Sequence, residues 1–223
     1  MPHSAPNILP YGDSALLLNY AVQGFSREIC ETIQSQAAQL RASGQWLEVV
    51  PAYDSLLCVF DMHNVTLEAA KALLKSQLKA PLTNDVTSRK VIEIPVVYGG
   101  DYGPDLETVC KAKNLTREAA IRAHSSQTYL VCMLGFLPGF SFLSQIPEAL
   151  RYPRRDTPRI SVSAGSIGIA GWQTGIYGLD SPGGWQIIGR TPLPLFDKSR
   201  ANPNHLNAGD TVRFIPSGNE VFA

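Results

Sequence analysis

The sequence has no surplus of either charge: 19 Lys and Arg face 19 Asp and Glu over 223 residues. That balance excludes the broad basic footprint with which a protein holds nucleic acid or an anionic membrane. Long hydrophobic runs are also missing. No stretch approaches the roughly 18 uncharged apolar residues of a membrane span, and the first twenty residues hold no Lys or Arg of the kind that opens a signal peptide. Cysteine is scarce and scattered. Cys30, Cys58, Cys110 and Cys132 form no CxxC pair and have no histidine at ligand spacing, which argues against a zinc site or a disulfide framework and for small core side chains. A cytoplasmic protein without a metal is expected. The GxxxxGK[ST], GxGxxG, GxSxG and HExxH motifs are all absent, as is a Met-Lys-Met site for biotin. The chain has no recognisable nucleophile and no phosphate loop.

What is present divides by texture. Up to about residue 90, strand-like and helix-like patterns alternate. "SALLLNY" (14–20) reads as a strand and 26–40 as a helix capped by Ser26, with Ile29, Ile33, Ala37 and Leu40 on one face. Two strands meet at a turn within 46–61. A helix over 66–80 starts at Thr66, and "KVIEIPVVY" (90–98) is a strand. The order β-α-β-β-α-β is that of a ferredoxin-like unit. Pro81 to Arg89 suits a linker, and two short helices follow at about 104–112 and 116–123, with Asn114 between them. From about 127 onward glycine and proline punctuate short apolar runs, the pattern of a closed barrel of short strands. The chain is therefore expected to be α+β: residues 1–88 a ferredoxin-like α/β domain, residues 89–223 an antiparallel β-barrel.

Three segments could carry chemistry. "RYPRRDTPR" (151–159) places four arginines among prolines; guanidiniums on a stiff loop suit bidentate binding of a carboxylate or phosphate, though Asp156 could simply pair locally. The stretch 160–192 has Asp180 as its one charge between Arg159 and Arg190. It offers Gln173 and Thr174 as neutral hydrogen-bonding groups and Trp172, Tyr177 and Trp185 as flat walls, a mixture found in small-molecule pockets. "GFLPGFSFL" (135–143) is too apolar to face water and too broken for a central strand. It is either a partner surface or groove wall or a plug over the barrel end. His124, just upstream, is suited to acid–base work and is equally a candidate core histidine.

The segments 92–106, 124–143, 153–197 and 206–214 together resemble the family of bacterial 5-oxoprolinase B subunits, also called allophanate hydrolase subunit 1, which includes an inhibitor of a sporulation sensor kinase. The resemblance implies that the barrel is cyclophilin-like and that the chain is half of a carboxyltransferase-type unit. It implies the A and C subunits as partners in the ATP-dependent opening of 5-oxoproline to glutamate, with this chain inactive alone and carrying neither metal nor biotin. On that reading Arg159 and Arg190 offset developing negative charge while His124 moves a proton. Arg155, Gln173, Thr174 and Trp185 hold the substrate, and Phe136, Pro138 and Phe140 meet a partner. Two other roles fit the same family: an inhibitor that docks on a histidine kinase through the apolar segment, and a component of a urea carboxylase or allophanate hydrolase system.

Overall fold

The structure, a computed structural model, describes residues 6–20, 24–81 and 91–222. His3 and residues 82–89 of the expected linker lie outside them. The chain divides into two compact units, Met1–Arg89 and Lys90–Ala223.

The first unit contains β1 (Asn7–Tyr11), β2 (Ala15–Asn19), α1 (Arg27–Ala42), β3 (Glu48–Pro51), β4 (Ser55–Val59) and α2 (Leu67–Gln77). The strands form one antiparallel sheet in the order β1-β2-β4-β3. Each helix starts where a hydroxyl can accept an otherwise orphaned N–H: Ser26 takes that of Ile29 at 3.3 Å, and Thr66 that of Ala69 at 3.3 Å. Ile29, Ile33, Ala37 and Leu40 of α1 pack with Leu16, Leu18, Leu56 and Cys58 of the sheet and with Ala70 and Leu74 of α2. The element order is β-β-α-β-β-α, because β1 and not residues 90–98 supplies the outer strand. β1 is mostly exposed and contains Pro10; at a sheet edge a missing ladder donor costs little.

The second unit begins with β5 (Val91–Tyr98) and two helices, α3 (Leu106–Lys113) and α4 (Arg117–Ser125). Asn114 ends α3 with a left-handed φ of 52°, and Thr116 caps α4. There follow β6 (Thr128–Leu134), β7 (Ser141–Gln145), β8 (Arg159–Val162), β9 (Ser166–Ala170), β10 (Gln173–Ile176), β11 (Ser181–Gly183), β12 (Gln186–Arg190) and β13 (Thr211–Pro216). Seven strands close a barrel in the order β10-β7-β6-β13-β5-β12-β9, while β8 and β11 form a separate two-stranded ribbon. The barrel is antiparallel except at β5–β13, which run parallel. Ile94, Val96, Val131, Leu143, Ile167, Ile169, Ile176 and Phe214 belong to its main core. A second apolar cluster, built on Phe140, Val162, Tyr177, Trp185 and Ile187, packs apart from that core.

The segment "GFLPGFSFL" is neither wholly loop nor wholly surface. Its last part is β7, a strand paired on both sides, by β6 and β10. The part before it is the tight connection from β6, in which Phe140 N–H donates to the Leu137 carbonyl at 3.1 Å. The connection folds against Gly178, where a Cβ atom would sit 2.4 Å from the Pro138 oxygen. Phe136 itself takes a left-handed φ of 68°.

Candidate functional site

Successive side chains of a strand point to opposite faces, and on β7, β9 and β10 one face fills the barrel while the other carries the aromatic cluster. Gly168 and Gly175 are cross-strand partners on that second face. A Cβ at Gly175 would lie 3.1 Å from the rings of both Phe140 and Trp185, so the absence of side chains there makes the slot that the rings occupy. Phe140 meets Tyr177 edge-on at 4.9 Å, Trp185 edge-on at 5.6 Å and Phe142 tilted at 4.6 Å, spacings at which aromatic pairs attract. Phe136, 66% exposed, stands edge-on to Phe140 at 5.4 Å.

These rings wall a cavity of about 460 Å³, and its lining also includes Gln173, Tyr177 and Arg154. Arg154 is the one charged residue of the lining. Burial is the largest influence on Tyr177 and raises its pKa, partly offset by a backbone hydrogen bond from Trp185 and by the charges of Arg154 and Arg159. The phenol therefore stays protonated at neutral pH and can donate a hydrogen bond.

The arginine loop is held by a residue fifty positions away. Asp105, buried at the start of α3, accepts from Arg159 Nη2 at 2.7 Å and Arg155 Nη1 at 3.2 Å through the same oxygen, Oδ1. Its other oxygen accepts the Ile187 N–H at 2.6 Å. One carboxylate thus serves two guanidiniums, and the Arg159 side chain is only 23% exposed. Arg155 and Arg159 are occupied by a structural clamp and do not line the cavity, whereas Arg154, just before them, does.

His124 lies elsewhere. It is fully buried among the barrel residues, stacked on Phe214 at 4.6 Å. Its Nδ1 meets the Tyr98 hydroxyl at 2.8 Å and its Nε2 the Thr174 hydroxyl at 3.1 Å, and Thr174 also donates to the Gly168 carbonyl at 3.0 Å. Burial pushes the imidazole pKa down to about 3. His124 and Thr174, expected in proton transfer and substrate binding, form instead a closed polar pair inside the barrel. Gln173, one residue from Thr174, faces the cavity. Arg190 is separate again: its Nε donates to the Ala164 carbonyl at 2.9 Å and its guanidinium lies 5.7 Å from the Phe222 ring.

The expected substrate residues Gln173 and Trp185 thus come together, with Phe136 and Phe140, at one cavity. The three catalytic candidates His124, Arg159 and Arg190 do not converge. Among the expected partner residues, Phe136 and Pro138 are exposed, while Phe140 is buried and can only support them. The residues not anticipated are Arg154 and Asp105, while Tyr177, expected as a flat wall, is in the lining. Arg154 had the same sequence context as Arg155, and Asp105 had only the weak mark of an acidic residue opening a helix. Among the described residues no three His, Cys, Asp or Glu side chains cluster as metal ligands, and no helix is long and apolar enough to cross a membrane.

Comparison with known proteins places this geometry. The chain is 43% identical over 215 residues to a 5-oxoprolinase B subunit of Haemophilus influenzae, spanning 96% of this chain and all of that one. It is 38% identical over 216 residues to the 5-oxoprolinase B subunit of Bacillus subtilis, spanning 92% and 90% of the two chains. The crystal structure of TTHA0988 superposes with a TM-score of 0.80 at 36% identity, covering 93% of this chain, which spans only 40% of that longer one. Residues 6–206 match the family described as carboxyltransferase domain, subdomain C and D, and with an α/β unit leading into a closed barrel the chain belongs to that family.

Proposed function

We propose that this chain is the B subunit of an ATP-dependent 5-oxoprolinase, which with the A and C subunits opens 5-oxo-L-proline to L-glutamate. The observation that carries the reading is a pocket able to bind but not equipped to react. Its lining has aromatic walls, an amide, a phenol and one guanidinium, but no carboxylate, imidazole or thiol. Opening a lactam by ATP needs a phosphate cradle and carboxylates to hold magnesium. The lining fits neither, so we assign ATP to a partner subunit and route no step through it here. The names of the two bacterial relatives support the reaction. The exposed Phe136 beside the pocket supports completion by another chain, since an aromatic held out in a left-handed conformation gains most when a partner buries it.

The test is glutamate release from 5-oxoproline and ATP, measured for each purified subunit and for the mixture. Turnover is expected only in the mixture. Phe136→Asp is expected to prevent assembly, seen as loss of the complex peak in size-exclusion chromatography, with the circular dichroism spectrum of the chain unchanged. Turnover by this chain alone would overturn the reading.

A further inference from the structure

Two polar groups in the pocket are uncommitted. The Arg154 guanidinium and the Gln173 carboxamide line the cavity, and neither has a hydrogen-bond or ion-pair partner among the described residues. Their backbones, by contrast, are pinned. The Pro153 carbonyl accepts from Gln186 Nε2 at 2.9 Å and the Arg155 N–H donates to the Gly184 carbonyl at 2.8 Å, so both neighbours of Arg154 are tied down, one to β12 and one to the connection before it. The Arg155 and Arg159 side chains are taken by Asp105. Gln173 is fixed in β10 by pairing to Ala170 on one side and Gln145 on the other. The arrangement spends two anchored arginines on placing a third that is free.

The two free groups specify a ligand by complementarity. A planar guanidinium pairs best with a carboxylate, through two parallel hydrogen bonds. A primary carboxamide offers one N–H donor and one C=O acceptor side by side. That pair is matched by an amide whose own N–H and C=O lie on the same side, the cis arrangement that a small lactam ring enforces and an open peptide disfavours. The rings of Phe140, Phe142 and Trp185 line the same cavity and supply apolar surface for a small ring.

We propose that this pocket recognises small lactam acids, with Arg154 holding the carboxylate and Gln173 pairing with the ring amide. Asp105 is the positioning residue that keeps Arg155 and Arg159 from competing. The inference deepens the 5-oxoprolinase reading and rests on it for the choice of first probe.

The experiment uses the full chain and follows tryptophan indole N–H signals by NMR. Trp172 and Trp185 line the pocket, while Trp46 belongs to the first unit and serves as the internal control. Titration with 5-oxo-L-proline is expected to move the signals of Trp172 and Trp185 and leave that of Trp46. Two analogues divide the recognition: 2-pyrrolidinone lacks the carboxylate and cyclopentanecarboxylate lacks the amide. Arg154→Gln is expected to weaken both acids about ten- to hundredfold and leave 2-pyrrolidinone unchanged. Gln173→Ala is expected to weaken 5-oxoproline about three- to tenfold and leave cyclopentanecarboxylate unchanged. Arg154 is exposed and Gln173 partly so, so neither change endangers the fold. Equal binding of 2-pyrrolidinone and 5-oxoproline, unchanged affinity in Arg154→Gln, or silent pocket tryptophans at millimolar ligand would each overturn the proposal. The two readings fail separately. A mixture of subunits that turns over with KM unaltered by Arg154→Gln sinks this one alone. A lactam acid bound through Arg154 in a chain whose mixture never releases glutamate sinks the other.

Discussion

Gln173 and Thr174 are adjacent on one strand and belong to different worlds. Thr174 faces into the barrel, wholly buried, and closes a hydrogen-bonded chain with His124 and Tyr98. Gln173 faces the other way, into an open cavity, with its amide unclaimed. The same split divides the arginine loop, where Arg155 and Arg159 are tied to Asp105 and Arg154 is free. Inside the barrel, Tyr98, His124 and Thr174 satisfy one another, since an unmet polar group in low dielectric costs about 1–3 kcal/mol. Outside, polar groups are left open where a ligand can meet them. Titratable chemistry in a sequence is therefore no guide to function until its face is known.

The largest break in this comparison comes from the inside. His124→Ala removes a buried ring and orphans the hydroxyls of Tyr98 and Thr174, and is expected to destabilise the chain by about 3–5 kcal/mol in chemical denaturation. Gln173→Ala, one position from the contact, is expected to leave the midpoint unchanged.

A second test sharpens it by pH. His124 binds its proton near pH 6.5 when unfolded but only near 3 when folded, because burial disfavours the charged ring. Its folded pKa is the lower, so the unfolded state holds more protons within that window. The contribution is full above about pH 6.5 and is lost as pH falls toward 3. Between pH 6.5 and 5 the loss is about 2 kcal/mol, measurable as a lower urea midpoint. In His124→Gln that part of the acid sensitivity should vanish.

The last test belongs to the outer face. Gly175→Leu drives a side chain against the Ser141 carbonyl, 3.0 Å from the added Cβ, and against the buried Phe140 and Trp185 rings, at a net cost of about 1–3 kcal/mol. Its effect on the pocket should be far larger, abolishing the response of Trp185 to added lactam acid.

Helices α1, α2 and α4 were legible in the sequence because a capping hydroxyl, Ser26, Thr66 or Thr116, opens each, and in α1 an apolar stripe of 3.6-residue period follows. β5 was legible because "KVIEIPVVY" reads as a strand. β1 was hidden by its own exposure, since an edge strand without a buried face shows no alternation. β7 was hidden by the glycines and proline in the turn before it. In the site, the glycines and tryptophans of the 160–192 stretch supply the slot and walls of the cavity. What sequence could not supply was the parity of neighbours: Arg154 against Arg155 and Gln173 against Thr174 differ only in which way a backbone of unknown register turns them. Nor could it supply Asp105, whose partners are made neighbours by the fold alone.

The parallel pairing of β5 with β13 has a consequence for how the molecule is made. It joins residues 91–96 to 211–216, so more than a hundred residues must emerge from the ribosome before the barrel can close. The sheet of the first unit, by contrast, is complete once Ser55–Val59 has appeared. Contacts so distant in sequence form slowly, because the loop entropy is lost before the strands are rewarded. The early unit can be folded while β5 still waits with an unpaired edge, an interval in which partner chains and chaperones meet a nascent protein that is half native.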